Sequence, residues 1–211
     1  LVALTACGRS TPTGQLQENP AESVPQQAAM KPALNGFVVT QGEGFSFNGQ
    51  PFVMKGFNYF PRNYAWGAMT EWDWSEVEFE LAWGASLGAN TVRTVIDYGF
   101  STNNPDHEGN LVAMAHPTPE YIAAMQHFLA ISDRYGLKVI FTLFDFMPGW
   151  FFIDQGRHDI AGAYLGELLP HFTDDARIVA WDILNEGDLL PEKFGTDINR
   201  VLDFYRAMSE Q

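Results

Sequence analysis

After residue 36 the sequence repeats one pattern four times: a short apolar segment that predicts a β-strand, then a longer amphipathic segment that predicts a helix. The predicted strands are residues 53–59, 91–96, 138–144 and 178–184, and the predicted helices are residues 75–87, 119–135, 159–172 and 194–208. Strand 138–144 is apolar at nearly every position, which is typical of parallel strands covered on both faces. The sequence therefore predicts an α/β fold with four consecutive β-α units.

Two architectures fit four such units: an open doubly wound sheet, or the first half of an eight-stranded barrel that needs about 250 residues in full. A nucleotide-binding domain is disfavoured, because the Gly-Glu-Gly at 42–44 precedes the first strand and no Gly-rich loop follows any strand. Before the first unit, Asn48-Gly49 predicts the turn of a β-hairpin.

The first seven residues form an apolar run that ends at the single cysteine of the chain, Cys7. Residues 4–7, Leu-Thr-Ala-Cys, resemble a bacterial lipobox. This resemblance implies that residues 1–7 are the remnant of a signal peptide and that Cys7 is acylated, which anchors the protein to a membrane of the cell envelope after secretion. The alternative is an apolar N-terminus with an unmodified thiol.

Residues 8–36 are rich in Ser, Thr, Pro, Gln, Asn and Glu, a composition that cannot bury enough surface to fold. They predict a flexible polar linker between the anchor and a domain at 37–211.

Charge and cysteine content exclude several functions. The 211 residues carry 12 Lys and Arg against 26 Asp and Glu, a formal net charge of -14, which disfavours nucleic acid as a partner. One cysteine is too few for an internal disulfide or a structural zinc site. No cofactor or metal is expected, since His107 with its acidic neighbours and the Asp154/His158 pair each lack a third ligand nearby.

Polar side chains gather where each predicted strand ends, a position that forms the active-site rim in barrel proteins. They are Asn58, Arg93 with Asp97, Asp145, and the run Asn185-Glu186-Gly187-Asp188.

Residues 177–186 resemble the fourth strand of the retaining glycoside hydrolases of clan A, and of family 5 in particular. Residues 48–59 are similar to the family's hairpin and first strand, residues 87–93 to its second strand, and residues 135–140 to the approach to its third. The resemblance covers roughly residues 43 to 210. It implies that the domain is the N-terminal half of a (β/α)8 TIM barrel.

The family resemblance also implies an activity: cleavage of O-glycosidic bonds in β-linked polysaccharides or oligosaccharides of the mannan or glucan type. Such cleavage needs one carboxylic acid to protonate the leaving oxygen and a second carboxylate for the sugar carbon. By the resemblance, Glu186 is the general acid/base, Asn185 binds the 2-hydroxyl of the sugar, and Arg93 lies beside the nucleophile. The alternatives are a solvated loop carboxylate for Glu186 and a core ion pair for Arg93.

Aromatic side chains near the rim are candidates for stacking on sugar faces. Trp66 and Trp150 follow strand ends, and Tyr59 and Tyr98 are weaker candidates; each is equally compatible with loop packing. Trp83 and Trp181 are predicted to lie in the core.

The sequence departs from the family at three points. Gly187 stands where Pro usually follows Asn-Glu, and Phe144-Asp145 stands where a His is common. The nucleophile, a Glu after the seventh strand, has no counterpart here, and Asp145 is a poor substitute. We therefore expect a chain truncated at both ends and inactive alone, since a half barrel leaves sheet edges uncovered. Two alternatives remain: a non-catalytic carbohydrate-binding lipoprotein, and an open α/β binding protein complete at this length.

Overall fold

The computed structural model describes residues 35–64, 67–102, 116–145 and 149–211, together with residues 30 and 147. Cys7 and residues 1–7, predicted to be a signal remnant, lie outside the described residues, as does nearly all of the predicted linker 8–36. Trp66 and the loop around His107 also lie outside them. The predictions made for these positions stay predictions.

A small antiparallel sheet precedes the repeated units. Its strands are β1 (Val38–Gln41), β2 (Gly44–Phe47) and β3 (Gln50–Phe52), and they lie in chain order. Asn48 and Gly49 connect β2 to β3 with φ angles of 51° and 75°. Positive φ at both positions is what a type I′ turn requires, so the predicted hairpin is confirmed.

The main sheet contains four parallel strands. They are β4 (Gly56–Asn58), β5 (Thr91–Asp97), β6 (Lys138–Asp145) and β7 (Ile178–Leu184). The strands lie in chain order, β4-β5-β6-β7. A doubly wound sheet reverses its order at a switch point, whereas here each crossover moves one strand further in the same direction. Among the described residues the topology is therefore consistent with part of a barrel, and the doubly wound alternative is wrong.

The predicted strand 53–59 is divided in two. The chain leaves β3 at Phe52 and enters the parallel sheet only at Gly56. Asn90 fixes the crossing: its Nδ2 donates to the Val53 carbonyl at 2.9 Å, and its Oδ1 accepts from the Lys55 amide at 2.8 Å. These bonds bring β4 into register beside β5.

Helices follow the parallel strands. They are α1 (Trp74–Ser86), α2 (Tyr98–Ser101), α3 (Pro119–Arg134), α4 (His158–Leu168), α5 (Leu189–Phe194) and α6 (Ile198–Ser209). The side chains of Asp73, Thr118 and Asp197 cap α1, α3 and α6 by accepting backbone hydrogen bonds. The predicted helix 194–208 starts later because Gly195, in a left-handed conformation with φ of 70°, ends α5. None of the described helices is long and apolar enough to cross a membrane.

The core lies between the parallel sheet and its helices and is strongly aromatic. Phe144 of β6 packs against Tyr164 of α4 and Phe204 of α6, with ring centroids 5.7 Å and 5.4 Å away. Trp181 stacks on Phe141 at 5.7 Å, which confirms its predicted place in the core. The same prediction is wrong for Trp83 of α1, which is 52% exposed.

The small antiparallel sheet is joined to the N-terminal end of β6 by Lys138. The Lys138 ammonium donates to the carbonyls of Gly36 (3.0 Å) and Ala176 (2.6 Å) and lies 5.1 Å from the centre of the Phe47 ring. The residue is 1% exposed. Burial lowers the pKa of Lys138, while the charges of Asp133 and Asp175 act in the opposite direction.

Candidate active site

Arg93, the third residue of β5, is the centre of a polar network that reaches the C-terminal ends of β4 and β7. Its Nε and Nη2 donate to Oδ2 of Asp182 at 3.1 Å and 2.5 Å. Nη2 also donates to Oδ1 of Asn185 at 3.0 Å, and Nη1 to Oδ1 of Asn58 at 3.3 Å. One guanidinium therefore connects β5 to the ends of β4 and β7.

Asp182 lies inside β7 and was not among the predicted site residues. Its Oδ2 also accepts a hydrogen bond from Thr142 of β6 at 2.9 Å, and the two residues are paired in register. The side chains of Arg93 and Asp182 are 26% and 32% exposed, so the ion pair is accessible to solvent. A carboxylate within a buried apolar strand needs a partner, and this was the signal in the sequence that could have identified it.

The alternation of side chains along a strand separates this network from the core. In β4, Asn58 is directed toward Arg93. The adjacent Phe57 lies against Gly84 of α1, and Tyr59 packs against Phe128 of α3, so both are on the opposite, helix-covered face. The network consequently occupies the face of the sheet that corresponds to the inside of a barrel.

Asn185 and Glu186 follow β7 directly, in the turn at residues 185–188. The Asn185 side chain reaches Arg93, and Glu186 is exposed. Glu186 has a φ of 49°, a left-handed conformation that costs a non-glycine residue about 1 kcal/mol. Its carbonyl accepts a hydrogen bond from the Leu189 amide at 2.9 Å, which joins the turn to the start of α5. The turn thus presents the Glu186 carboxylate to solvent one residue from the Arg93 network.

Two of the aromatic candidates are not available to a ligand. Tyr59 is 4% exposed, and its hydroxyl donates to Oε2 of Glu80 at 3.0 Å beneath α1. Tyr98 is fully buried, with its ring 4.7 Å from that of Tyr164. The expectation that these two residues contact sugar is wrong, because both side chains are on the helix-covered face of the sheet.

The tryptophan candidates are not tested by the structure. Trp66 lies outside the described residues, and Trp150 begins a π-helical turn, Trp150–Asp154, after β6, with its side chain outside the described part. Asp145, the poor substitute for the nucleophile, is 8% exposed at the end of β6, which disfavours attack on a bound sugar.

No group of three or more His, Cys, Asp or Glu side chains that could hold a metal ion occurs in the described part of the chain. The Asp154 carboxylate accepts a hydrogen bond from Thr196 at 3.4 Å, and the His158 ring lies 5.6 Å from that of Phe204. The network around Arg93 consists of one carboxylate, two side-chain amides, one hydroxyl and the guanidinium.

A parallel sheet in chain order, with a polar network near the C-terminal ends of its strands, defines an α/β protein whose fold is consistent with part of a TIM barrel. Comparison with solved structures shows that this fold is similar to part of the fold of glycoside hydrolases of family 5. The sequence itself matches no protein-family model and no curated protein.

Three solved structures illustrate the similarity. The exo-beta-1,4-mannosidase Op5Man5 from Opitutaceae bacterium strain TAV5 has a TM-score of 0.63 and 22% identity over 77% of this chain. GH5_18 from Streptomyces cattleya, in complex with Manb1-4GlcNAc, has a TM-score of 0.59 and 19% identity over 74%. The beta-mannanase from the blue mussel Mytilus edulis has a TM-score of 0.53 and 19% identity over 75%.

The chain spans only part of these proteins. The matched region covers 30% of the Opitutaceae mannosidase, 40% of the Streptomyces protein and 46% of the mussel mannanase. At these levels of identity the similarity establishes the fold, and the roles assigned to Glu186, Asn185 and Arg93 stay predictions.

Proposed function

We propose that this chain contributes the acid/base half of the active site of a retaining glycoside hydrolase that cleaves β-linked polysaccharides or oligosaccharides. One observation carries the proposal: the Arg93 guanidinium is hydrogen-bonded both to Asp182 of β7 and to Asn185, the residue before the exposed Glu186. The proposal is supported by the position of Asn185 and the exposed Glu186, which follow β7 beside the solvent-accessible Arg93–Asp182 ion pair.

In the proposed mechanism Glu186 protonates the departing glycosidic oxygen and then removes a proton from the attacking water. The Asn185 amide has its oxygen on Arg93, which leaves its NH2 group as the donor for a sugar hydroxyl. A hydrogen bond to the 2-hydroxyl that strengthens as the sugar carbon gains positive charge lowers the barrier. Arg93 orients this amide and keeps a neighbouring nucleophile ionised.

The nucleophile is proposed to come from polypeptide outside these 211 residues. Retention requires the two carboxyl groups to be about 5 to 5.5 Å apart. Asp182 does not fit the role, because its Oδ2 already accepts from Arg93 and from Thr142. A second carboxylate on a later strand of a closed barrel would approach the guanidinium from the open side of the network.

β-Mannosides are the substrates to test first. The names of the similar structures include a mannosidase, a mannanase and a complex with Manb1-4GlcNAc. β-Glucans are the second class, as the sequence resemblance includes both.

The test is hydrolysis by the complete reading frame that encodes this chain, with Glu186→Gln beside it. Glu192→Gln is the matched control, because Glu192 carries the same side chain in α5, the helix that directly follows the 185–188 turn. Loss of a general acid lowers kcat by about 10² to 10⁴-fold on sugars with poor leaving groups, and less on aryl glycosides with good ones. Full activity of Glu186→Gln on mannobiose would refute the assignment, and sugar binding without turnover by the wild type would favour the carbohydrate-binding alternative.

We also propose that the protein is a secreted lipoprotein held at the cell envelope by an acylated Cys7, with residues 8–36 as its tether. The lipobox resemblance at residues 4–7 supports this. Metabolic labelling with a radioactive fatty acid is expected to mark the wild type and not Cys7→Ala. Equal labelling of both would exclude the anchor.

A further inference from the structure

Tyr205 of α6 lies directly beneath the turn that carries Asn185 and Glu186. Its hydroxyl donates to the carbonyl of Leu184, the last residue of β7, at 2.9 Å. The backbone of Gly187 packs closely against the same hydroxyl. One oxygen thus interacts with the residue before the Asn185-Glu186 pair and with the residue after it.

The close contact explains why position 187 is glycine. A Cβ atom at Gly187 would lie 2.7 Å from the Tyr205 hydroxyl oxygen, 3.0 Å from its Cε2 and 3.1 Å from a methyl group of Leu184. These distances are shorter than a van der Waals contact, so any larger residue would displace the tyrosine ring. Gly187 and Tyr205 are therefore adapted to each other.

The segment between these two anchors needs support. Glu186 has a left-handed backbone, which is unfavourable unless the surroundings impose it. Asn185, at the start of the turn, is restrained by the hydrogen bond that its side chain accepts from Arg93. Tyr205 restrains the same turn from the helix side, through the backbone.

We propose that Tyr205 is a positioning residue, which fixes the orientation of the Asn185-Glu186 pair by holding the backbone on either side of it. This inference rests on the proposed function for its catalytic meaning. It concerns a residue that does not touch the sugar and that acts through the turn alone.

The hydroxyl keeps its proton over the pH range in which such an enzyme works. Burial, together with the charges of Asp182 and Asp188, raises the pKa of Tyr205 above its usual value. The phenol therefore continues to donate to the Leu184 carbonyl at neutral pH.

The test uses Tyr205→Phe in the complete reading frame, which removes the hydroxyl and keeps the ring. Loss of the hydrogen bond is expected to lower kcat about tenfold with KM nearly unchanged, because the acid is less well oriented while the sugar contacts remain. Tyr135→Phe is the matched control: its hydroxyl donates to Glu78 at 2.9 Å, away from the 185–188 turn. The control is expected to keep the wild-type kcat.

A second variant examines the contact itself. Gly187→Ala is expected to lower kcat in the wild-type background, and to have a smaller additional effect in Tyr205→Phe, because the oxygen at 2.7 Å is then gone. Hydrogen exchange is measured in parallel on the 211-residue chain. The amide of Leu189, which donates to Glu186, is expected to exchange faster in Tyr205→Phe and to be unchanged in Tyr135→Phe.

These results separate the two proposals. If Glu186→Gln abolishes turnover while Tyr205→Phe keeps the wild-type kcat and exchange rate, Tyr205 has no positioning role and the proposed function stands. If the wild type hydrolyses no glycoside, the function is wrong, and the exchange of the Leu189 amide alone decides whether Tyr205 holds the turn. Equal slowing by Gly187→Ala in both backgrounds would also overturn the inference.

Discussion

Two cations on adjacent strands of the parallel sheet, Lys138 and Arg93, are used in opposite ways. Lys138 begins β6 at the N-terminal end of the sheet, is 1% exposed and donates to two backbone carbonyls. The Arg93 side chain reaches the C-terminal ends of β4 and β7, is 26% exposed and donates only to side chains. Backbone partners cannot rotate away, and burial excludes a ligand. The Lys138 end therefore stabilises the fold, while the Arg93 end keeps polar side chains accessible to solvent.

The chemistry of the two cations matches their surroundings. Lysine presents a compact ammonium with freely rotating donors, which suits carbonyls from two different segments. Arginine presents a planar fork of donors, which suits the carboxylate of Asp182 and the amides of Asn58 and Asn185 at once. Exchanging the two residue types should therefore impair both ends.

The largest effect is expected from Arg93→Met, assayed in the complete reading frame. Removing the guanidinium releases Asn185 and lowers the charge beside the site, so kcat/KM for a β-mannoside should fall about 10² to 10³-fold. Arg206→Met is the control, because Arg206 is 70% exposed and pairs with Asp203 within α6. An Arg93→Met protein that lost stability but kept its activity would place Arg93 in the same structural class as Lys138.

Lys138→Met should show the reverse behaviour. It leaves the Gly36 and Ala176 carbonyls without their donor, and we expect the free energy of unfolding to fall by about 2 kcal/mol. Urea unfolding of the 211-residue chain measures this, with the exposed Lys55→Met as control. Activity at low temperature should be unchanged; a loss of kcat without a loss of stability would contradict the division between the two ends.

The smallest expected effect is on the pH dependence of stability, through Asp175 in the loop that leads into β7. Burial alone would raise the pKa of Asp175, but hydrogen bonds from Arg177, the Arg177 charge and the Lys138 charge together lower it below its usual value. The Asp175 carboxylate therefore stabilises the fold above the usual aspartate pKa, and this contribution is lost as the pH falls through the lowered value.

Urea unfolding between neutral and acidic pH checks this. Asp175→Asn is expected to flatten the decline in stability below about pH 4, whereas the exposed neighbour Asp174→Asn should leave it as in the wild type. The same decline in both variants would show that another acidic group is responsible.

Local patterns in the sequence were sufficient for much of the fold. The strands 91–96, 138–144 and 178–184 agree with β5, β6 and β7 within one residue at each end, because a run of apolar residues between turn signals is a local property. The Asn48-Gly49 turn could equally be predicted from the sequence. The division of residues 53–59 was not, since it depends on Asn90, which lies 35 or more residues away.

The candidate site was only partly accessible from sequence. Placing Asn58, Arg93 and Asn185 at one rim followed from the barrel topology, and the structure brings them together. The Asp182 partner of Arg93 is 89 residues away, and the mutual fit of Gly187 and Tyr205 arises from packing between a turn and a helix. The burial of Tyr59 and the exposure of Trp83 likewise depend on tertiary contacts that no local pattern encodes.

The chain-order arrangement of the main sheet has a consequence for biosynthesis. Each parallel strand pairs with the one translated immediately before it, so the sheet can grow from its N-terminal strand while later segments are still in the ribosome. Neighbours in sequence are then neighbours in space, which limits the length of the loop that must close at each step. At each stage the most recently added strand has an unpaired edge, and this is the edge that a chaperone would have to protect.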